Sequence, residues 1–242
     1  MDNGKLELLK SMVRKARNIV FFGGAGVSTE SGIPDFRSQD GLYRMQYRYP
    51  PETIISHSFL LQHPDEFYRF YRDKMLPQGI EPNVTHRVVA RWEQEGKLLA
   101  CITQNIDDLH EKAGTHKLYK LHGSTSRNYC MRCGKPYDVS YILETEGVPY
   151  CSCGGMIRPD VVLYEEGLDD EVVEGAIAAI ERADLLLVCG TSLVVYPAAG
   201  FLQYYTGSNL VLINRTSTAY DGYAQLVMHE SLGDVFRALE TM

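Results

Sequence analysis

The chain has 242 residues, 45% hydrophobic and 23% charged, which suits a folded globular protein and excludes a disordered or fibrous polymer. With 24 Lys and Arg against 31 Asp and Glu the net charge is -7, which argues against sequence-independent phosphate-backbone binding and suits a basic partner better. No apolar run reaches the length of a bilayer span, and the opening MDNGKLELLK lacks the basic and apolar segments of a signal peptide, so the expectation is a cytoplasmic monomer that binds neither nucleic acid nor membrane.

In chain order, Leu6, Leu9, Val13 and Ala16 recur at helical spacing behind Asp2 and Asn3, predicting an amphipathic helix over 5–17. Ile19 to Phe22 then form a continuous apolar run ending in Gly23-Gly24-Ala25-Gly26, the pattern of a buried strand turning tightly into a helix. Such a turn lets backbone approach a phosphate, and a helix start offers it free N–H groups and a positive dipole end. Gly24-x-Gly26 fits a dinucleotide fingerprint, but Thr29 stands at the third glycine position, so a tight turn without a ligand fits this segment equally well. Three further apolar runs stop abruptly: Leu98 to Ile102 before Thr103-Gln104-Asn105, Leu185 to Cys189 before Gly190-Thr191-Ser192, and Leu210 to Ile213 before Asn214. Helical patterns over 170–182 and 197–205 lie between them. Strands alternating with helices predict an α/β fold with a parallel, doubly wound sheet whose strand ends converge on one crevice.

Two stretches break that rhythm. Residues 36–83 are rich in Tyr, Phe and Pro, and residues 126–159 hold four of the six cysteines; both read as insertions forming a smaller module beside the sheet. Cys130-x2-Cys133 and Cys151-x-Cys153, 17 residues apart and each flanked by glycine, supply four soft thiolates, a donor set that selects a tetrahedral, structural zinc. The one-residue gap in the second pair departs from the usual two, which leaves a disulfide pair or idle thiols as the alternative. Arg132, Lys135 or Arg158 and backbone N–H groups are expected to offset the charge of such a site. Cys101 and Cys189 fall inside predicted strands and read as small core residues.

His122 follows Leu118 to Leu121 and precedes Gly123, at the end of a short predicted strand, and His110 lies one turn past Asp107 on a predicted helix. Read singly, each suits a structural histidine, Asp107 and Asp108 suit helix caps, and Arg37 suits a surface arginine. Together, however, the runs Gly24-Ala25-Gly26-Val27-Ser28-Thr29-Glu30-Ser31-Gly32-Ile33-Pro34-Asp35-Phe36-Arg37-Ser38, Thr103-Gln104-Asn105-Ile106-Asp107-Asp108-Leu109-His110, Leu121-His122-Gly123-Ser124 and Gly190-Thr191-Ser192-Leu193, with the four cysteines, resemble the sirtuins in order and spacing over essentially the whole chain.

The resemblance implies a single catalytic domain. Its large Rossmann-like part would cover about 1–35, 84–125 and 160–242, and its small domain would comprise a helical module over 36–83 and a zinc module over 126–159. It implies an NAD-dependent protein-lysine deacetylase that passes the acyl group to ADP-ribose, releases nicotinamide and carries one structural zinc. Residue by residue, Ala25, Thr29, Arg37, Gln104, Gly190, Thr191, Ser192 and Asn214 would hold the dinucleotide, with a looser match at Leu232. Asn105, Ile106 and Asp107 would line the nicotinamide pocket, Asn105 also serving catalysis, and Phe36 would shield the reacting ribose. His122 would be the general base toward a ribose hydroxyl, a role its intrinsic acidity suits. Val161 to Gly167 resembles the strip on which an acyl-lysine peptide docks as an added strand, with Glu165 where the family commonly has Gly. Glu165, Glu166, Asp169, Asp170 and Glu171 would steer basic substrates, although a solvated acidic loop fits most of these charges equally well.

Other activities stay open at this level. Removal of acidic acyl groups needs Tyr-x-x-Arg, and Tyr43-Arg44-Met45-Gln46-Tyr47-Arg48 lacks that spacing. ADP-ribosyl transfer to protein, a hydride-transferring dehydrogenase and a zinc-organised NAD-binding module without turnover are the remaining alternatives.

Overall fold

The first helix, α1 (Asn3–Lys15), begins two residues earlier than its apolar spacing suggests. The Asp2 carboxylate sets that start by accepting from the N–H groups of Gly4 at 2.9 Å and Lys5 at 3.1 Å. The structure is a computed structural model and describes residues 2–35 and 48–242. β1 (Ile19–Gly23) follows, and beyond the undescribed stretch come α2 (Pro51–Ile54), α3 (His57–Gln62), α4 (Pro64–Phe70) and α5 (Val84–Gln94). β2 (Leu98–Thr103), α6 (Leu109–Lys112), β3 (Leu118–Lys120), β4 (Gly123–Cys130), β5 (Pro136–Asp138), α7 (Val139–Glu144) and β6 (Ile157–Val161) form the middle of the chain. α8 (Asp170–Arg182), β7 (Leu185–Cys189), β8 (Leu210–Ile213), β9 (Leu226–Met228) and α9 (Leu232–Glu240) complete it. The pattern over 170–182 is realised as α8, whereas the one over 197–205 closes as a 3-10 helix, Ala198–Tyr204.

Six strands pair in the order β3-β2-β1-β7-β8-β9, all parallel. Counted within this sheet alone the order is 3-2-1-4-5-6, the doubly wound arrangement that reverses direction between β1 and β7. Both faces are buried, and side chains alternate between them as the strand period requires. Ile19 and Phe21 of β1, Leu185 and Leu187 of β7, and Val211 and Ile213 of β8 join a core with residues of α1, α5 and α9. Val20, Phe22, Leu186, Val188, Leu210 and Leu212 join a second core with α8 and the 198–204 segment. Cys101 and Cys189 are buried in the first core, as small core residues should be.

β2 carries one irregularity. Ile19 pairs with Leu98 but Val20 pairs with Ala100, so Leu99 is an extra residue and both Leu99 and Ala100 turn to the second core. The slip restores Cys101 to the first face and Ile102 to the second.

A separate antiparallel sheet has the order β5-β4-β6. It shares a third apolar core with the helical segment, in which Phe59, Leu60, Phe67, Tyr68 and Tyr71 meet Ile142, Ile157, Val161 and Leu163. Cys130 and Cys151 lie in the same core. Among the described residues no helix is long and apolar enough to cross a membrane.

Candidate active site

The reversal between β1 and β7 opens a crevice at their carboxyl ends, and three glycines set its floor. A Cβ on Gly24 would lie 2.7 Å from the Thr191 Cβ, and one on Gly26 would lie 2.8 Å from the Gly190 Cα. Gly190, at φ +60, would bring a Cβ within 2.7 Å of the Gly26 carbonyl carbon. Backbone hydrogen bonds join the same segments, Gly24 N–H to Cys189 O at 3.1 Å and Gly26 N–H to Gly190 O at 2.8 Å. These glycines therefore serve first to let two strand ends touch. The chain then makes two short 3-10 turns, Ala25–Val27 and Thr29–Ser31, in place of the expected helix start. No helix dipole is available there, so any pull on an anion comes from local N–H and hydroxyl groups.

Between the two turns stands Ser28, to which the motif assigns no role. Almost fully buried, it donates from its hydroxyl to Asp107 Oδ2 at 2.8 Å and accepts from the Asn105 side-chain amide at 2.9 Å. It thereby orients both side chains of the loop after β2. Asp107 accepts the Leu109 N–H at 3.0 Å through its other oxygen, so it starts α6 as a cap would while facing the crevice. Burial pushes the Asp107 carboxyl above the usual range, against the pull of those hydrogen bonds and of Lys120. Asp108, the other expected cap, turns its carboxylate to Lys120 at 3.1 Å and accepts the Ser124 hydroxyl at 2.9 Å. Ile106 fixes the loop from its own backbone, its carbonyl accepting the Thr125 N–H at 3.0 Å, while its side chain packs on the third core.

His122 stands at the turn between β3 and β4, its Nδ1 2.8 Å from the Gln104 carbonyl oxygen. A carbonyl only accepts, so Nδ1 carries the proton and Nε2 keeps its lone pair. Burial lowers the basicity of the ring, and the bond to Gln104 offsets that only in part, so the imidazole is neutral at pH 7. His110 differs. It is buried against Phe21 and His86, and neither of its ring nitrogens meets a hydrogen-bonding partner among the described residues.

Around the crevice Gln104 donates from its side chain to Thr191 Oγ1 at 3.0 Å, and that hydroxyl oxygen accepts the Leu193 N–H at 3.2 Å. Thr29 donates to Gly26 O at 3.0 Å. Ala25, Ser192 and Asn214 are half-buried at the ends of β1, β7 and β8. Leu232 opens α9 with its side chain in the first core, so only its backbone faces outward, and the helix start is already met by Glu30, which accepts the Gly233 N–H at 2.8 Å. Phe36 and Arg37, like the Tyr43–Tyr47 stretch that bears on acyl selectivity, lie outside the described residues.

Cys130, Cys133, Cys151 and Cys153 bring their sulfurs within 4.8 Å of one another. Cys130 Sγ lies 3.5 Å from Cys153 Sγ and Cys133 Sγ 3.7 Å from Cys151 Sγ. Four sulfurs at about 2.3 Å from a tetrahedral zinc stand roughly 3.8 Å apart, so the cluster fits that ion. Gly155 makes room for it, since a Cβ there would lie 2.6 Å from Cys130 Sγ. The Arg132 main-chain N–H points at Cys130 Sγ at 3.4 Å, as expected of the backbone, while its guanidinium donates to the Cys153 carbonyl oxygen at 2.7 Å. Lys135 instead stacks over Tyr137, and Arg158 turns away to a bidentate pair with Glu166.

That pair braces the Val161 to Gly167 strip. Although burial resists ionisation of Glu166, Arg158, the Leu163 N–H and His57 hold its carboxyl down at about 2. Glu165 adopts φ +77, the region that favours glycine, and its carboxylate accepts the Ser58 N–H at 2.8 Å and the Ser58 hydroxyl at 2.9 Å. A cavity of about 470 Å³ runs beside the strip, with His57, Asp160, Glu165 and Glu166 on its walls.

The fold and crevice define a doubly wound α/β protein in which Ser28 after β1 holds a buried carboxylate and an amide from the loop after β2, the Gln104 carbonyl of that loop holds a histidine from the end of β3, and a four-cysteine module lies alongside. The Sir2 family model matches residues 24–197, and the chain belongs to that family. It is 52% identical over 242 residues to an NAD-dependent protein deacetylase of Clostridium acetobutylicum, covering 98% of each chain. It is 54% identical over 239 residues to one of Clostridium perfringens, covering 97% of this chain and 98% of that one. Among solved structures, Sir2 bound to an acetylated peptide superposes with a TM-score of 0.86 at 35% identity over 98% of this chain and 97% of that one. Sir2 with a p53 peptide and NAD+ gives 0.85 at 36% identity over 97% and 96%.

Proposed function

We infer that this chain is an NAD-dependent protein-lysine deacetylase. The observation that carries the reading is the hold of the Gln104 carbonyl on His122 Nδ1, which leaves Nε2 for a proton, beside the Ser28-linked Asn105 and Asp107. The names of the clostridial relatives and the peptide and NAD+ complexes of Sir2 support it.

NAD supplies, when bound, a ribose carbon that accepts the acyl oxygen as nicotinamide leaves. Ala25, Thr29, Gln104, Gly190, Thr191, Ser192 and Asn214 would hold it, with Phe36, Arg37 and the Leu232 backbone as further contacts. Asp107 would accept hydrogen bonds from the nicotinamide carboxamide, and Ile106 and Asn105 would close the pocket around it. His122 takes a proton at Nε2, which the Gln104 carbonyl leaves available by holding the other ring nitrogen. The acylated lysine enters on an extended peptide along Val161 to Gly167. Residues 36–83 and 126–159 form the smaller domain beside the Rossmann-like part, an assignment that their shared apolar core supports. Cys130, Cys133, Cys151 and Cys153 would hold a zinc whose shell is complete with protein sulfur, so it would organise that domain and activate no water. Thiolates in this role suit a reducing, cytoplasmic setting.

The test follows nicotinamide release with acetylated and succinylated peptides, and mass spectrometry of the products. NAD consumption that depends on the acetylated peptide and yields acetyl-ADP-ribose is the expected result. Formation of reduced NAD, or of acetate with NAD unchanged, overturns the reading.

A further inference from the structure

Lys120 closes β3 two residues before His122, yet its side chain is only 7% exposed. Its ammonium donates to the Asp107 carbonyl oxygen at 2.7 Å, Glu111 Oε1 at 2.8 Å, Asp108 Oδ1 at 3.1 Å and Ser124 Oγ at 3.2 Å. A buried ammonium is costly unless it is paired and hydrogen-bonded, and here the loop after β2, α6 and β4 all supply partners. One lysine thus ties the backbone of Asp107 to the strand that delivers His122.

We propose that Lys120 is a positioning residue for the nicotinamide pocket, holding the Asn105 to Asp108 loop in register with His122. The proposal rests on the deacetylase reading, in which Asp107 receives the nicotinamide carboxamide. Two observations converge on it. The ammonium holds the Asp107 carbonyl while the Ser28 hydroxyl holds its carboxylate, so the residue is gripped at both main chain and side chain. The ammonium also opposes the burial that pushes the Asp107 carboxyl up, whereas Glu111 works in the other direction.

The charged and titratable groups around Asp107 are few. Lys120 comes from β3 and Glu111 from α6; Asp108 faces Lys120; Ser28 and Ser124 present only hydroxyls from the 3-10 turn and from β4. His110 on α6 and His86 on α5 are pushed by burial toward their neutral forms, and His122 is likewise neutral. Among the described residues Lys120 is therefore the cation that favours the charged form of this carboxylate, in addition to the Leu109 N–H and the Ser28 hydroxyl.

The experiment measures nicotinamide inhibition of this chain's deacetylase activity as a function of pH, with each variant compared to the parent so that the His122 contribution is shared. An inactive parent protein, or a parent not inhibited by nicotinamide, would count against the deacetylase reading itself rather than against Lys120. With an active parent, Lys120→Met should weaken nicotinamide inhibition about tenfold, the scale of a lost charged hydrogen bond, and move its acid limb to higher pH. Lys120→Arg should restore both. Glu111→Gln, at a partly exposed position, should move the acid limb the opposite way, to lower pH, so the proposal stays testable if Lys120→Met does not fold. A Lys120→Met protein that loses thermal stability but keeps the parental inhibition constant and acid limb, or a Glu111→Gln protein whose limb stays in place, overturns the proposal.

Discussion

The two sheets of this protein are held by different physics. The six-stranded parallel sheet alternates apolar side chains onto two faces, and each face is covered by helices, so its stability is distributed over many contacts. The three-stranded sheet has strands of eight, three and five residues and one small core shared with the helical segment. Its Cys130 and Cys151 sit inside that core, so ligands and packing are the same residues there. A distributed core survives the loss of any one contact better than a core centred on one ion, and the difference can be measured.

The largest effect should follow metal removal. Structural zinc in isolated peptides contributes on the order of 10 kcal/mol or more, and binding is coupled to folding. Adding a strong chelator should therefore unfold the β4 to β6 region, read by hydrogen exchange, with activity falling at the same rate while the parallel sheet stays protected. Loss of activity with the region still protected, or full activity in protein without metal, would contradict a structural zinc.

Phe21→Ala probes the other sheet. Phe21 is fully buried and meets His110 and Phe236 edge-on at 5.7 and 6.0 Å. A loss of about 3–5 kcal/mol in denaturant unfolding is expected, the range for a buried aromatic, with zinc content unchanged. Concurrent zinc loss would show that the two regions fold as one unit.

Acid should strike beneath the parallel sheet through its buried histidines. Burial lowers His86 from 6.5 to about 4 and His110 well below its usual value. The unfolded chain binds these protons below pH 6.5 and the folded one does not, so this stability is complete above that pH and lost as pH falls toward 4. For His86 the change is on the order of 3 kcal/mol. Subtracting the pH dependence of a His86→Gln variant, in which any acid loss of zinc is shared, should isolate it. Parallel curves for the two proteins would show that His86 plays no part.

The smallest effect on stability accompanies a large one on rate. His122→Ala should lower turnover roughly a hundredfold or more, as loss of a general base does, while leaving the melting temperature and zinc content close to the parent's. Near-parental turnover at saturating substrate would make His122 a structural histidine.

β1, β2, β7 and β8 are legible in the sequence as short apolar runs that stop at a small or polar residue, whereas the three-residue β9 and the strands of the small sheet are too short or too polar to stand out this way. The four cysteines converge despite the one-residue gap, since Gly155 lets the chain close in on Cys130. What stays hidden depends on partners distant in sequence. Nothing near Ser28 announces that it will meet Asn105 and Asp107, 77 and 79 residues away. In the sequence Lys120 is the polar tooth of a short strand, and only the fold surrounds it with four acceptors. Glycine spacing reports backbone freedom and not which helix type follows, so the turn after β1 reads as a helix start and folds as two 3-10 turns. Glu165 reads as a steering charge, whereas its carboxylate is engaged by Ser58 and its backbone takes the conformation that suits glycine.

The extra residue in β2 bears on how chains of this kind can vary in length. Leu99 sits where β2 has already slipped one place against β1, so excising it would join Leu98 to Ala100 and leave every later residue opposite its present neighbour. Excising Leu187 from β7, whose ladder with β1 runs unbroken, would send Val188 and Cys189 to the wrong sides of the sheet. A gap in an alignment is thus tolerable inside one strand and ruinous in the strand two places along. Melting temperatures of the two deletion proteins, close to the parent's for Leu99 and far below it for Leu187, would make that asymmetry visible.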